Sequence, residues 1–227
     1  IFDLWKNTPA LDSPLQKNED LKSVMLEETP WLREARDESE ARRNVGLLFD
    51  DNRLGEEAAR TLRKLADQQL SDGLWSWFPG GRASEFISLY IVTGFGRLRN
   101  LGATIDSEPA VKALRALDAW MDERYRDILR GPNPDAYVPS HTDALYLYGR
   151  SFFLRDLAID DAHHAAVEFF LQRSREHWLR VDCRQCQAHL ALGLHRFGDR
   201  TVPQAIMRSI KERSVTSEEM GMFWRDL

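Results

Sequence analysis

Cysteine is scarce: the chain has two in 227 residues, too few for a disulfide framework. Long apolar runs are missing, and none approaches the ~20 residues that a bilayer-spanning helix needs. No long block of one charge sign occurs, and the net charge is −5. That balance argues against a nucleic-acid surface; short basic runs such as RSREHWLR at 173–180 read as solvated helix faces. Asn-Gly or Asp-Gly turns between alternating strands are missing as well. Asp72-Gly73 comes nearest, but a helical pattern precedes it. What remains is a chain 43% hydrophobic and 30% charged, enough apolar material to bury a sizeable core. Its ends, IFDLW and GMFWRDL, carry large apolar residues where tails are usually polar. The expectation is a single helical domain fragment, residues 1–227, cut from a longer polypeptide, with a native compartment that its start does not reveal.

Helical signals dominate. Ser13, Pro14 and Gln16 read as N-cap, first helical residue and reciprocal cap of a helix running to about Glu28. Thr201 and Gln204 repeat the pattern. Segment 56–69 places Ala58, Leu62, Leu65 and Ala66 on one stripe, the mark of a surface helix. In segment 85–101, Phe86, Ile87, Leu89, Tyr90, Ile91, Val92 and Phe95 cover nearly the whole circumference, which predicts burial on most sides. Segments 141–154 and 185–197 are rich in apolar and aromatic residues, whereas 161–180 is mostly polar with a striped face. Aromatics recur near Trp75, Tyr125, Trp178 and Trp224, at gaps of roughly 50 residues, about one helical hairpin with its loops. Gly94, Gly149 and Gly193 lie near the middle of the apolar segments, where a glycine costs about 1 kcal/mol against alanine; close helix approach would explain them. An inner ring of apolar helices inside an outer ring of amphipathic ones predicts an all-α fold, an α/α toroid, closed or incomplete, with an open α-solenoid as the alternative. The aromatic stretch SDGLWSWFPGGR at 71–82 then reads as a corner, with Trp75, Trp77 and Phe78 folded back over helix ends. An exposed ligand platform is the competing reading.

The sharpest chemical constellation is HWLRVDCRQCQAH at 177–189, with His177, Cys183, Cys186 and His189. Cys-x-x-Cys flanked by histidines can bind zinc. Structural zinc sites hold that motif in a turn, though, and here Cys186 shares a helical face with Leu190 and Gly193. Two unmetallated free thiols are expected, because their spacing within or next to one helix disfavours a mutual disulfide. A redox motif would want a strand–helix setting. His163 and His164, with Glu168 following, could move protons or bind a metal, but Asp160 and Asp161 mark a solvated first helical turn. The acidic pairs at 27–28, 50–51, 56–57 and 218–219 are sequence neighbours near helix ends, which fits the helix dipole better than glycoside hydrolysis. His141, opening an inner segment, is the best single candidate for a cavity role. None of these is assigned a catalytic, cofactor-binding or metal role, and no cofactor is expected.

The segments VMLEETPWLREARDESEARRNVGLLFD at 24–50, GLWSWFPGGRASEFISLYIVTGFGRLRNLG at 73–102, YLYGRSFF at 146–153, QAHLALGLHRFGD at 187–199 and KERSVTSEEMGMFWRD at 211–226 resemble the large alpha-2-macroglobulin-like proteins of Bacteroidetes, in their thioester-type helical domain. The resemblance implies an α/α toroid shared with complement thioester domains and terpenoid cyclases. It further implies a long periplasmic or cell-surface protein, lipid-anchored in its full form, with β-sandwich domains around this one. The implied role is trapping of attacking proteases, with no enzyme activity of its own. The family's thioester joins a cysteine to a glutamine three residues on, in Cys-x-Glu-Gln. Here Gln185 and Gln187 stand two and four residues after Cys183, and Gln187 directly follows Cys186, so neither cysteine fits. The alternative from another class is a toroid enzyme acting on a polysaccharide or an isoprenoid.

Overall fold

The computed structural model describes residues 51–219 and 221–224, with side chains from Gly55 onward. The expected helix at 13–28 and the acidic pair at 27–28 lie outside those residues, as does Asp50. The described chain is all-α apart from two short hairpins. Helix α1 (Asp51–Asp67) is described by itself: Leu62, Leu65 and Ala66 are half-buried and Ala58 is exposed. Residues 66–224 form the compact unit described below. No described helix is long and apolar enough to cross a membrane.

The 71–82 stretch folds into a hairpin of two-residue strands, β1 (Trp75–Ser76) and β2 (Ala83–Ser84), paired antiparallel with Trp75 opposite Ser84. Its ladder is too short to show alternation in the sequence. Gly80, at φ 79°, supplies the left-handed residue that the loop needs. Helix α2 (Glu85–Asn100) follows, with Ser84 as N-cap accepting from the Ile87 amide. Next come α3 (Glu108–Leu129), α4 (His141–Arg150), α5 (Asp161–His177), α6 (Arg184–Arg196) and α7 (Val202–Glu212). A second hairpin, β3 (Val215–Ser217) with β4 (Gly221–Phe223), ends the described chain. There the Trp224 indole N–H donates to the Ile210 carbonyl at 2.8 Å.

Helices α2, α4 and α6 form one layer, with α4 in contact with both of the others; α3 packs on α2, α5 on α3 and α4, and α7 on α6. Helix α4 is therefore walled on most sides, and every residue from Asp143 to Arg150 is buried. The expectation of all-round burial belongs to α4 and not to α2. In α2 one face is buried through Ser88, Leu89, Val92, Thr93, Phe95 and Gly96, while Phe86 and Tyr90 are exposed. The expected ordering of segments holds: 85–101, 141–154 and 185–197 bury more of their residues than 56–69 and 161–180.

Glycines let this layer close up, but not quite the ones expected. A β-carbon at Gly94 would meet nothing within 4 Å, whereas one at Gly96 would lie 2.5 Å from the Phe152 ring. At Gly149 it would sit 2.6 Å from the Thr93 hydroxyl, and at Gly193 3.2 Å from the Leu147 carbonyl carbon. Gly96 thus takes the role anticipated for Gly94, because the face of α2 that meets α4 runs through Val92, Thr93 and Gly96.

Two caps differ in how they form. Asp160 caps α5 as its sequence suggests, accepting from the Ala162 amide. Thr201 caps α7 with no side-chain bond; Asp199 accepts from the amides of Thr201 and Val202 at 2.9 and 3.1 Å instead.

Candidate functional site

Helix α3 carries two carboxylates on its buried stripe, Asp118 and Asp122, one turn apart among Leu114, Leu117 and Met121. An acid on an otherwise apolar stripe is costly unless paired, and Asp118 is paired completely. The Arg150 Nε, fully buried at the end of α4, donates to both its oxygens at 3.0 and 3.1 Å, and the Tyr146 hydroxyl donates at 2.7 Å. Arg150 spends another donor on the Leu157 carbonyl at 2.9 Å. Burial raises the Asp118 pKa, against the pull of Arg150 and Tyr146, and burial first, then Asp118, raises that of Tyr146.

Beside this clamp lies a half-open cleft of about 370 Å³, walled by Arg115, Asp118, Asp160 and His163 over Leu157 and Ile159. His163, in the first turn of α5, turns its Nδ1 toward the Asp122 carboxylate at 3.9 Å, too long for a hydrogen bond, and that nitrogen has no partner. Asp122 is already paired with Arg126. The cleft thus gathers an imidazole and two acids, the raw material of proton transfer, but Asp118 is held by Arg150 and Asp160 is the N-cap that accepts from the Ala162 amide. His164 is exposed, and Glu168 pairs with Arg175 at 2.8 Å. Asp118 and Asp122 escaped the sequence reading; the signal for them was an acid recurring at core spacing in LDAWMDE.

A second polar knot fixes the entry to α4. Asp143 accepts from the Ser140 amide and hydroxyl, the Tyr137 hydroxyl and the Arg124 guanidinium, the last at 3.1 Å. The Asp143 amide N–H in turn donates to the Ser140 hydroxyl oxygen, completing a capping box. Burial, then the neighbouring carboxylate, raises the Tyr137 pKa.

His189 joins α6 to the rest of its layer. Its ring stacks on Tyr148 at 4.6 Å, and its Nε2 accepts from Arg97 at 3.3 Å. The proton therefore sits on Nδ1, which is buried without a partner. Burial first, then the positive charges of Arg97 and His141, push its pKa down to about 4. His141, the expected cavity residue, is half-buried at the start of α4. Arg196 covers the Phe152 ring at 3.9 Å and donates to Ser151.

The 177–189 constellation does not converge. His177 Nε2 lies 3.0 Å from the Asp135 carbonyl. Cys183 and Cys186 are joined in a disulfide, which corrects the expectation of free thiols. Cys183 precedes the helix; it is the N-cap, in extended conformation (φ −150°, ψ 116°). Three residues apart across the helix start, the two Cα atoms stand 5.1 Å apart, inside the range that a disulfide spans. Among the described residues no three histidine, cysteine or acidic side chains gather as a metal site would require.

The aromatic stretch divides between its two readings. Trp75 is the buried corner, and its amide donates to the Ser88 hydroxyl at 2.9 Å. Trp77 and Phe78 are each 66% exposed, against the expectation that they fold back. Trp77 stacks on Phe86, which meets Tyr90 edge-on.

No protein-family model and no curated protein matches the chain. Among solved structures, it is similar to one titled Escherichia coli alpha-2-macroglobulin activated by porcine elastase, at 14% identity and a TM-score of 0.40. The match covers 81% of this chain and 14% of that chain.

Proposed function

We propose that this chain is a non-enzymatic scaffold domain of an alpha-2-macroglobulin-like peptidase inhibitor, an incomplete α/α toroid carried inside a longer periplasmic or cell-surface protein. One observation carries the reading. Three of the segments that resemble the family are the ones that meet in the α2–α4–α6 layer. YLYGRSFF supplies Tyr148 and Phe152; QAHLALGLHRFGD sets His189 and Gly193 against Leu147 and Tyr148; the 73–102 segment sets Gly96 against Phe152 and Thr93 against Gly149. The residues behind the resemblance are thus packing residues. The buried acids of the same layers, Asp118 and Asp143, are fully engaged in holding helices together.

In this role the domain offers a rigid body to neighbouring β-sandwich domains, and proteases are met by the whole protein. The test uses the parent polypeptide with an elastase-type serine peptidase. Trapping is steric, so the peptidase should co-elute with the parent, keep its activity on a small peptide and lose most of it on a protein substrate. Undiminished activity on the protein substrate, with the parent degraded to small peptides, would count against the proposal. A toroid enzyme would instead have to use the His163 cleft, where Asp118 already holds Arg150 and Asp160 caps α5.

A further inference from the structure

We propose that Cys183 and Cys186 form a reversible thiol–disulfide exchange site, whose reactant is a low-molecular-weight thiol of the glutathione class. The two sulfurs are placed unequally. Cys183, the N-cap of α6, is partly exposed, whereas Cys186, one turn into the helix, is buried. An outside thiolate can therefore reach the first sulfur and not the second. The Cys183 sulfur also accepts the Cys186 amide N–H at 3.2 Å, at the N-terminus of a 13-residue helix. Amide and helix dipole together favour a thiolate there once the bond is open.

The bond is also a poor staple. It closes a loop with a sequence separation of three, and cross-links stabilise least when the loop is short. The surrounding chain is fastened without it: the Gln187 side-chain carboxamide donates from Nε2 to the Val181 and Trp178 carbonyls at 3.0 and 3.3 Å, tying the linker between α5 and α6 to the first turn of α6. Opening the disulfide therefore leaves the helix anchored, as a reversible site requires.

The exchange balances as follows. A thiolate RS⁻ attacks the Cys183 sulfur, the Cys183–Cys186 bond breaks, and Cys186 departs as a thiolate that takes a proton from water. A second RS⁻ attacks the R-bearing sulfur of the mixed disulfide, releasing Cys183 and forming RSSR. Overall, the protein disulfide is reduced by two electrons and two RSH are oxidised to RSSR. The reverse runs through the same mixed disulfide, with Cys186 as the resolving thiol.

The test uses the whole chain, folded, in glutathione buffers of graded ratio, quenched with an alkylating reagent and weighed intact. With only two cysteines present, every added group is assignable. The native protein should pass fully between no alkyl groups and two as the ratio changes, and return when it is reversed, with its far-ultraviolet circular dichroism unchanged. Cys186→Ser should accumulate a glutathione adduct on Cys183. Cys183→Ser should label at Cys186 slower by on the order of tenfold or more, because burial shields it. Reduction that occurs only in denaturant, loss of helix signal on reduction, or equal labelling of the two single variants would overturn the proposal. If a variant does not fold, the wild-type titration with and without denaturant decides alone.

Discussion

The Arg150 guanidinium and the Asp118 carboxylate meet at 3.0 Å with neither exposed to solvent by more than a few per cent, 32 residues apart in sequence. This pair joins α4 to α3, so it ties α3 to the layer of α2, α4 and α6. Breaking a buried pair from one side strands a charge, which costs about 3–5 kcal/mol. Arg150→Met should lower the unfolding free energy by that amount in urea titrations. Arg150→Met with Asp118→Leu should recover most of the loss. A loss under about 1 kcal/mol for the single change would mean that the carboxylate finds water.

The glycines give predictions of opposite sign. Gly94→Ala adds a methyl into open space and should stabilise the chain by about 0.5–1 kcal/mol through helix propensity. Gly193→Ala pushes a methyl against the Leu147 and Tyr148 backbone at 3.2–3.3 Å and should destabilise it by about 1–3 kcal/mol. Thermal melts of the two variants would separate them. A Gly193→Ala protein that melts above wild type would refute close packing between α4 and α6.

Recognising helices needed only the apolar periodicity and helix-start signals such as the Asp160–Asp161 pair, whereas the expected Thr201 cap makes no side-chain bond. The contrast between Gly94 and Gly96 was not legible, because both fall in one apolar run and only the neighbouring helix decides which faces Phe152. The Asp118–Arg150 pair was hidden for the same reason: each is an isolated charge until α3 and α4 are side by side. The disulfide was missed because a spacing of three at a helix start reads as unfavourable to a bridge, whereas Cys183, the extended N-cap, meets Cys186 across it. The aromatic corner was half legible. Density of tryptophan marks a turn, but which ring turns inward depends on the two-residue ladder beneath it.

That division has a measurable cost. Trp75→Ala, at a site 2% exposed, should lose about 3–5 kcal/mol of stability. Trp77→Ala, at 66% exposure, should lose less than about 1 kcal/mol. Denaturant titrations with equal losses would contradict the hairpin register of Trp75 with Ser84.

His189 should make the fold acid-sensitive. Its folded pKa of about 4 lies below the ordinary histidine value of about 6.5, so in that window the unfolded chain binds the extra proton. Stability should therefore fall as pH drops from about 6.5 to 4, by at most about 3 kcal/mol. Comparing wild type with His189→Gln isolates the effect from the carboxylates, and the variant should show a flatter slope. Equal slopes, or an assigned His189 resonance titrating near the ordinary value of about 6.5, would place that ring in water.

The claim that this chain's ionisable groups hold a fold rather than carry acyl chemistry is tested most directly by intact mass. The chain is incubated with methylamine, and separately with a serine peptidase, and each product is weighed. A thioester would gain the amine's mass and free a thiol, and an activated acyl group would leave a conjugate at the summed mass of chain and peptidase. With both cysteines in one disulfide and no glutamine three residues after either, the account predicts an unchanged mass in methylamine and only cleavage fragments with the peptidase. A methylamine adduct, or a covalent conjugate with the peptidase, would contradict it.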